Sequence, residues 1–74
     1  MTNITEFSKG DHIVIKALKC GEEFRRRLAD LGLFNGAQVE IVKNDGKNPL
    51  LIRVFNSKIV LDQKGAINIY GEKI

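Results

Sequence analysis

Short apolar runs, some β-branched and some alternating with polar residues, recur along the chain and predict β-strands. The clearest run begins at Ala37, where apolar and polar residues alternate up to Ile41. Together the runs predict five strands, over residues 12–18, 37–43, 50–55, 58–62 and 66–70. The segments between them are rich in Gly, Asn and Asp, which favour tight turns. Strands of this length without a βαβ rhythm predict an all-β fold, a small antiparallel barrel of about five strands.

One segment departs from the two-residue period and predicts a short helix between the first and second strands. From Glu22 to Leu31 the apolar residues Phe24, Leu28 and Leu31 recur at the spacing of one helix face. The acidic start suits the positive end of the helix dipole, and Gly32 supplies the residue that ends helices in a left-handed conformation. We therefore expect Leu31 to be buried with the rest of this stripe.

Composition narrows the class of protein. The 74 residues predict a single domain over residues 1–74 with one core, too small for the deep pocket of most enzymes. A single cysteine, Cys20, excludes an internal disulfide framework. Because residues 1–6 show neither a basic start nor an apolar leader, the chain is expected to be neither secreted nor membrane-spanning. The net charge of +3 permits an anionic partner without requiring one.

The segment from Arg27 to Val39 carries a resemblance to a known family. It reads Arg-Leu-Ala-Asp-Leu-Gly-Leu-Phe-Asn-Gly-Ala-Gln-Val and resembles the FeoA family, small cytosolic proteins associated with the bacterial ferrous-iron transporter FeoB. The shared pattern is R-L-x-x-L-G-L-x-x-G-x-x-V, and the likeness extends over nearly the whole chain. Two positions depart from the family, because Asn35 stands where Pro is frequent and Phe34 is larger and more apolar than usual.

The resemblance implies a cytoplasmic SH3-like barrel without catalytic activity or cofactor, which supports or regulates ferrous-iron uptake by contacting the cytosolic part of FeoB. Neither nucleic-acid binding nor membrane insertion is expected. Three alternatives stay open: an oligonucleotide-binding barrel, a stand-alone relative of the C-terminal domain of iron-dependent repressors, and a weakly self-associating protein.

The run Arg25-Arg26-Arg27 is the densest positive charge in the sequence. A nucleic-acid protein would use such a run to bind phosphates. Here Glu22 and Glu23 precede Arg26 and Arg27 by four residues, in the order that favours ion pairs on a helix. We therefore expect a self-paired, solvated helix face rather than a phosphate site.

Two large apolar residues, Leu33 and Phe34, follow the helix in what is predicted to be a turn. Leu33 is more easily placed in the core, and Phe34, next to Asn35-Gly36, on the surface. Exposed apolar residues at a turn often mark a partner surface. The resulting hypothesis is a partner-binding patch formed by Phe34, with Leu33 at its edge, flanked by Arg26 and Arg27.

The residue types that bind ferrous iron are present in His12, Cys20, Glu22 and Glu23. Their spacing matches no recognised ligand pattern, and adjacent carboxylates on a helix point about 100° apart. The resemblance to the family implies only weak binding of transition-metal ions, and it does not assign that binding to these residues. The sequence therefore predicts no metal site, and no set of residues suits a catalytic role.

Overall fold

The computed structural model describes all 74 residues. Six strands form one antiparallel sheet in the order β1-β6-β2-β3-β4-β5. The strands are β1 (Thr2–Asn3), β2 (His12–Leu18), β3 (Gln38–Lys43), β4 (Leu50–Val54), β5 (Ser57–Leu61) and β6 (Ile69–Lys73). A 3-10 turn spans Ile4–Glu6, and two α-helices are present, α1 (Glu22–Asp30) and α2 (Gln63–Ala66).

Two irregularities bend the sheet around its core. The register between β2 and β6 shifts between Ile15 and Ala17, and that between β3 and β4 shifts between Ile41 and Lys43. An extra residue in one strand increases the local twist and bend. Both shifts lie in pairs that involve the central strands β2 and β3, and the buried apolar residues form one core.

That core is built from the inward-facing positions of the strands and from one face of α1. Burial alternates along β2, β3, β4 and β5, as expected for strands with one face towards solvent. The buried apolar residues are Ile4, Ile13, Ile15, Leu28, Leu33, Ala37, Val39, Ile41, Leu50, Ile52, Val54, Ile59, Leu61, Ala66 and Ile69. Burial of this set supplies most of the driving force for folding.

Polar side chains fasten the N-terminal segment to the rest of the molecule. Asn3 is buried, accepts from the Thr5 backbone N–H at 3.0 Å and donates to the carbonyl of Ile67. The Asn44 amide donates to the carbonyls of Thr5 and Phe7 at 2.9 and 2.7 Å. These contacts satisfy backbone groups that no strand partner reaches.

Helix α1 lies at the first to second strand connection predicted for it. Glu22 and Glu23 occupy its first turn, Phe24 is half-buried and Leu28 is buried. A Cβ placed on Gly65 would lie 3.3 Å from the Phe24 ring, so the ring packs directly on α2.

The all-β prediction is confirmed, but the sheet has six strands rather than five. Four of the predicted strands are correct to within one residue at each end. The added strand is β1, which is too short to show a period.

The predicted strand over residues 66–70 is wrong at its start. Residues 63–66 form α2, in which the Ala66 N–H bonds to the Asp62 carbonyl at 2.9 Å, and the strand runs over Ile69–Lys73. The inward position after Ile69 is Gly71, which is buried but has no side chain, so the apolar pattern stops before the strand does.

Candidate functional site

The end of helix α1 turns one leucine inwards and leaves another outside. Leu31 is the C-cap, and Gly32 follows with φ +95°, a left-handed conformation that reverses the chain. The Leu33 N–H then bonds to the Leu28 carbonyl at 2.8 Å, and the Leu33 side chain enters the core with no exposed surface. Leu31 remains 53% exposed. The expectation that Leu31 is buried is therefore wrong, because Leu33 fills the space beneath the last helical turn.

The position of Leu33 also corrects the predicted partner patch. A side chain with no accessible surface cannot contact a partner, so Leu33 does not belong at the edge of that patch. Its side chain belongs to the hydrophobic core. Phe34 is 43% exposed, on the surface where the sequence placed it.

Two backbone hydrogen bonds fix the turn that presents Phe34. The Phe34 carbonyl accepts from the Ala37 N–H at 3.0 Å, and the Gly36 N–H donates to the Ile15 carbonyl at 2.7 Å. Gly36 has φ +97°, as the Asn-Gly pair predicted. The turn is therefore anchored to β2, and Phe34 is held at a defined place.

A third exposed apolar residue, Phe55, was missed by the sequence reasoning, which placed it at the end of a strand. It is the first residue of the two-residue loop that joins β4 to β5, and it is 70% exposed. A Cβ placed on Gly32 would lie 3.0 Å from Phe55 Cδ2. The edge of the ring therefore rests on the Gly32 backbone. We call the exposed residues around Gly32, namely Leu31, Phe34 and Phe55, the Gly32 patch.

Phe55 also has an unfavourable backbone conformation. Its φ of +55° is the only positive φ of a non-glycine residue in the chain. Bulky residues rarely adopt this region, and such outliers concentrate at functional sites. A large aromatic side chain that is both strained and exposed at a hairpin tip marks this part of the surface as a candidate for binding.

The arginines of α1 are paired as the sequence predicted. Arg26 lies 3.8 Å from Glu22 and Arg27 lies 3.2 Å from Glu23, and all four side chains are largely exposed. Exposed pairs of this kind contribute only about 0.2–1 kcal/mol each, so a partner's carboxylate can replace the intrahelical one. Arg27 precedes Leu31 by one helical turn, which places its side chain beside the Gly32 patch.

The residues considered for iron do not come together. His12 begins β2, Cys20 is half-buried before α1, and Glu22 and Glu23 are exposed in the first turn of the helix. No group of three or more His, Cys, Asp and Glu side chains is arranged to hold a metal ion. The two concave regions are open surface grooves of about 340 and 200 Å³.

Two aspartates have lowered pKa values for local structural reasons. The backbone N–H groups of Asn48 and Lys47, followed by the Asn48 side chain, hold the pKa of Asp45 at about 2. The Ser8 backbone N–H, assisted by Lys73, lowers the pKa of Asp11. Both carboxylates order surface loops.

Comparison with known proteins places the chain in a family. The family model of the FeoA domain matches residues 2–73. Because the match covers almost every residue, the chain belongs to the FeoA domain family. By sequence, no curated protein matches the chain.

Solved structures share the fold at low sequence identity. A crystal structure of an iron uptake regulatory protein (FeoA) superposes with a TM-score of 0.91 at 20% identity, over 99% of this chain and 97% of that one. The solution structure of FeoA from Chlorobium tepidum gives 0.90 at 22% identity, over 99% of this chain and 70% of that one. IdeR of T. acidophilum gives 0.87 at 19% identity, over 99% of this chain but only 34% of its own length. The fold is therefore the SH3-like barrel that the resemblance to the FeoA family implied.

Both helices are short, with nine residues in α1 and four in α2. Neither α1 nor α2 is long and apolar enough to cross a membrane.

Proposed function

We propose that this protein is a cytoplasmic, non-enzymatic accessory module of ferrous-iron uptake that binds the cytosolic part of the GTP-hydrolysing transporter FeoB. The match of the FeoA domain over residues 2–73 carries this proposal. The surface supports it, because the exposed features are an apolar patch and shallow grooves rather than an enclosed pocket. Such a surface suits a protein partner better than a small substrate.

The proposed contact surface is the Gly32 patch together with Arg26 and Arg27. Phe34 and Phe55 supply aromatic side chains, which dominate the binding energy of many interfaces. The arginine stems extend the apolar area, and their guanidinium groups can bind carboxylates at the rim. Hydrophobic contacts would therefore provide most of the affinity, and the arginines would contribute orientation and association rate.

A module of this size would act on the transporter by preferring one of its conformations. Binding shifts a conformational equilibrium only by the difference in affinity for the two states. If the patch fits the GTP-bound state better than the nucleotide-free state, binding raises the population of the former. The nucleotide dependence of the affinity therefore measures the size of any regulatory effect.

The experiment that tests the proposal is a binding titration of this chain against full-length FeoB in nanodiscs. Measurements with and without a GTP analogue, each at low and moderate salt, separate apolar from electrostatic contributions. We expect saturable binding that survives moderate salt. Phe34→Ala should weaken it by about tenfold, the effect of losing one well-placed aromatic contact.

A matched control is Ile67→Ala, which removes another exposed apolar side chain, 56% accessible and located at the end of α2. This variant should bind as the wild type does. Because Phe34 is partly exposed, its replacement should also leave the melting temperature within a few degrees. Absence of wild-type binding in every nucleotide state would overturn the proposal.

A titration against a single-stranded oligonucleotide, at the same two salt concentrations, tests the alternative of nucleic-acid binding, which the charge of +3 permits. An oligonucleotide complex would weaken steeply with salt, because phosphate contacts release counterions. Phe34→Ala would leave that steep salt dependence unchanged.

A further inference from the structure

Strand β5 forms one edge of the sheet, and its outer side has no strand partner. The sheet ends with β4-β5, and the register of this pair is regular from Leu50–Leu61 to Val54–Ser57. In a hairpin with a two-residue loop, the residues that flank the loop bond to each other. Alternation along β5 then turns the backbone N–H and C=O of Lys58 and Val60 away from β4.

Few of the features that usually prevent an edge strand from pairing with another chain are present in β5. Proteins cover exposed edges with proline, bulges, charges or neighbouring elements. Strand β5 contains no proline, its pairing with β4 shows no register shift, and it carries one charged residue, Lys58. Val60 is 66% exposed on the solvent side. The edge can therefore accept a further strand.

The outer face of the β4-β5 hairpin presents a definite order of side chains. In the middle are the cross-strand neighbours Arg53 and Lys58, and at one end are Leu51 and Val60. At the other end is Phe55, in the loop after β4, which lines a groove together with Arg53. The order is therefore apolar, cationic, apolar at the two-residue spacing of a strand. The apolar ends are exposed, most strongly at Phe55 and Val60.

Of the two cationic side chains on this face, only Lys58 is free to pair with a carboxylate of a partner. Arg53 lies 2.7 Å from Glu40 of β3, so this pair neutralises itself. Lys58 makes no ion pair. An added strand would place its own side chains beside Lys58 and Val60 at alternating positions. The complementary strand therefore carries a carboxylate beside Lys58.

We propose that the free edge of β5 binds an extended segment of a partner protein in which a carboxylate is flanked, two residues away on each side, by apolar side chains. Backbone hydrogen bonds to Lys58 and Val60 would hold the segment, as in other cases of strand addition. Lys58 would select the carboxylate, and Val60 and Phe55 would pack against the apolar neighbours. The inference does not depend on FeoB, because any protein with such a segment would bind.

The test uses a synthetic peptide with Val, Glu and Val at alternate positions separated by Thr, and a second peptide with Lys in place of Glu. Binding is followed by the NMR shifts of the amides of the full chain. We expect saturable shifts at Lys58 and Val60 with the Glu peptide and several-fold weaker binding of the Lys peptide. K58E should weaken the Glu peptide about threefold and strengthen the Lys peptide, as an exposed charge pair predicts.

Val60→Pro tests the backbone contact. It removes the outward N–H of Val60 and should weaken the Glu peptide by about fivefold or more, the value of one hydrogen bond. Val60→Thr keeps that N–H and is the matched control, with a smaller loss. Unchanged shifts of core residues such as Ile52 show that each variant is folded.

Three results would overturn the inference. The first is an absence of saturable shifts at Lys58 and Val60 up to the solubility limit of the peptide. The second is equal binding of both peptides to wild type and K58E. The third is a set of shifts that follows protein concentration rather than peptide concentration, because the edge then pairs with a second copy of the chain.

Discussion

The strained backbone at Phe55 makes a quantitative prediction about stability. Phe55 has φ +55° and is 70% exposed. Removing the ring exposes about 60 Å² of apolar contact, mainly with Gly32, at a cost of about 1.5 kcal/mol. A left-handed conformation costs a non-glycine residue about 1–2 kcal/mol. Glycine avoids that cost, but it loses more conformational entropy on folding, which lowers the free energy of unfolding by about 0.5–1 kcal/mol.

Phe55→Ala and Phe55→Gly both lose the ring, so their difference isolates the backbone. Phe55→Ala keeps the strain and should be destabilised by about 1.5 kcal/mol. Phe55→Gly should be more stable than Phe55→Ala by about 0.5–1 kcal/mol, the reverse of the usual order of these residues. Urea unfolding at equal m-values measures both free energies. If Phe55→Ala is as stable as Phe55→Gly, the backbone at this position is not strained.

Two further predictions concern the neighbouring glycine and a surface loop. Gly32→Ala should cost about 1–3 kcal/mol, because Gly32 has φ +95° and the new Cβ would lie 3.0 Å from the Phe55 ring. In the Phe55→Gly background this cost should fall, and strictly additive costs in a double-mutant cycle would contradict the contact. The pKa of Asp45, about 2 when folded against 3.8 unperturbed, should stabilise the fold above about pH 4, and this contribution should disappear as the pH falls towards about 2. NMR titration of wild type, with Asp45→Asn as control, measures it, and a folded pKa near the unperturbed value would contradict the loop contacts with Asn48.

Much of the fold follows from the sequence because most strands are apolar, β-branched runs bounded by turn-forming residues. Ile13, Ile15 and Ala17 recur at a period of two in the strand over 12–18, and the run after Leu50 lies between Pro49 and Asn56. The end of the last strand did not follow, because Gly71 occupies an inward position without a side chain. Helix α2 is only four residues long, which is too short for a helical period. Tertiary packing rather than local pattern decides such elements.

The candidate site was only partly predictable from the sequence. The exposure of Phe34 followed from its place in a turn with Asn35-Gly36, since a tight turn lies at the surface. The burial of Leu33 was also expected, but the exposure of Leu31 was not, because the periodicity of a helix says nothing about the direction of the chain after Gly32. The position of Phe55 did not follow either, because an aromatic residue at the end of an apolar run is typical of a strand, and its positive φ is a property of the folded chain.

The strain at Phe55 and its exposure together favour a role in binding over a role in folding. A residue that contributes chiefly to stability would be buried and relaxed, whereas Phe55 is 70% exposed with φ +55°. Glycine would adopt this backbone conformation at a lower cost. The presence of Phe at this position therefore indicates that the aromatic side chain has a function of its own. The ring rests on Gly32 and lines a groove together with Arg53 of β4. Phe55→Gly should therefore weaken partner binding by more than its small loss of stability explains, since most of the protein stays folded. Binding that declines only in proportion to the folded fraction would assign Phe55 to stability alone.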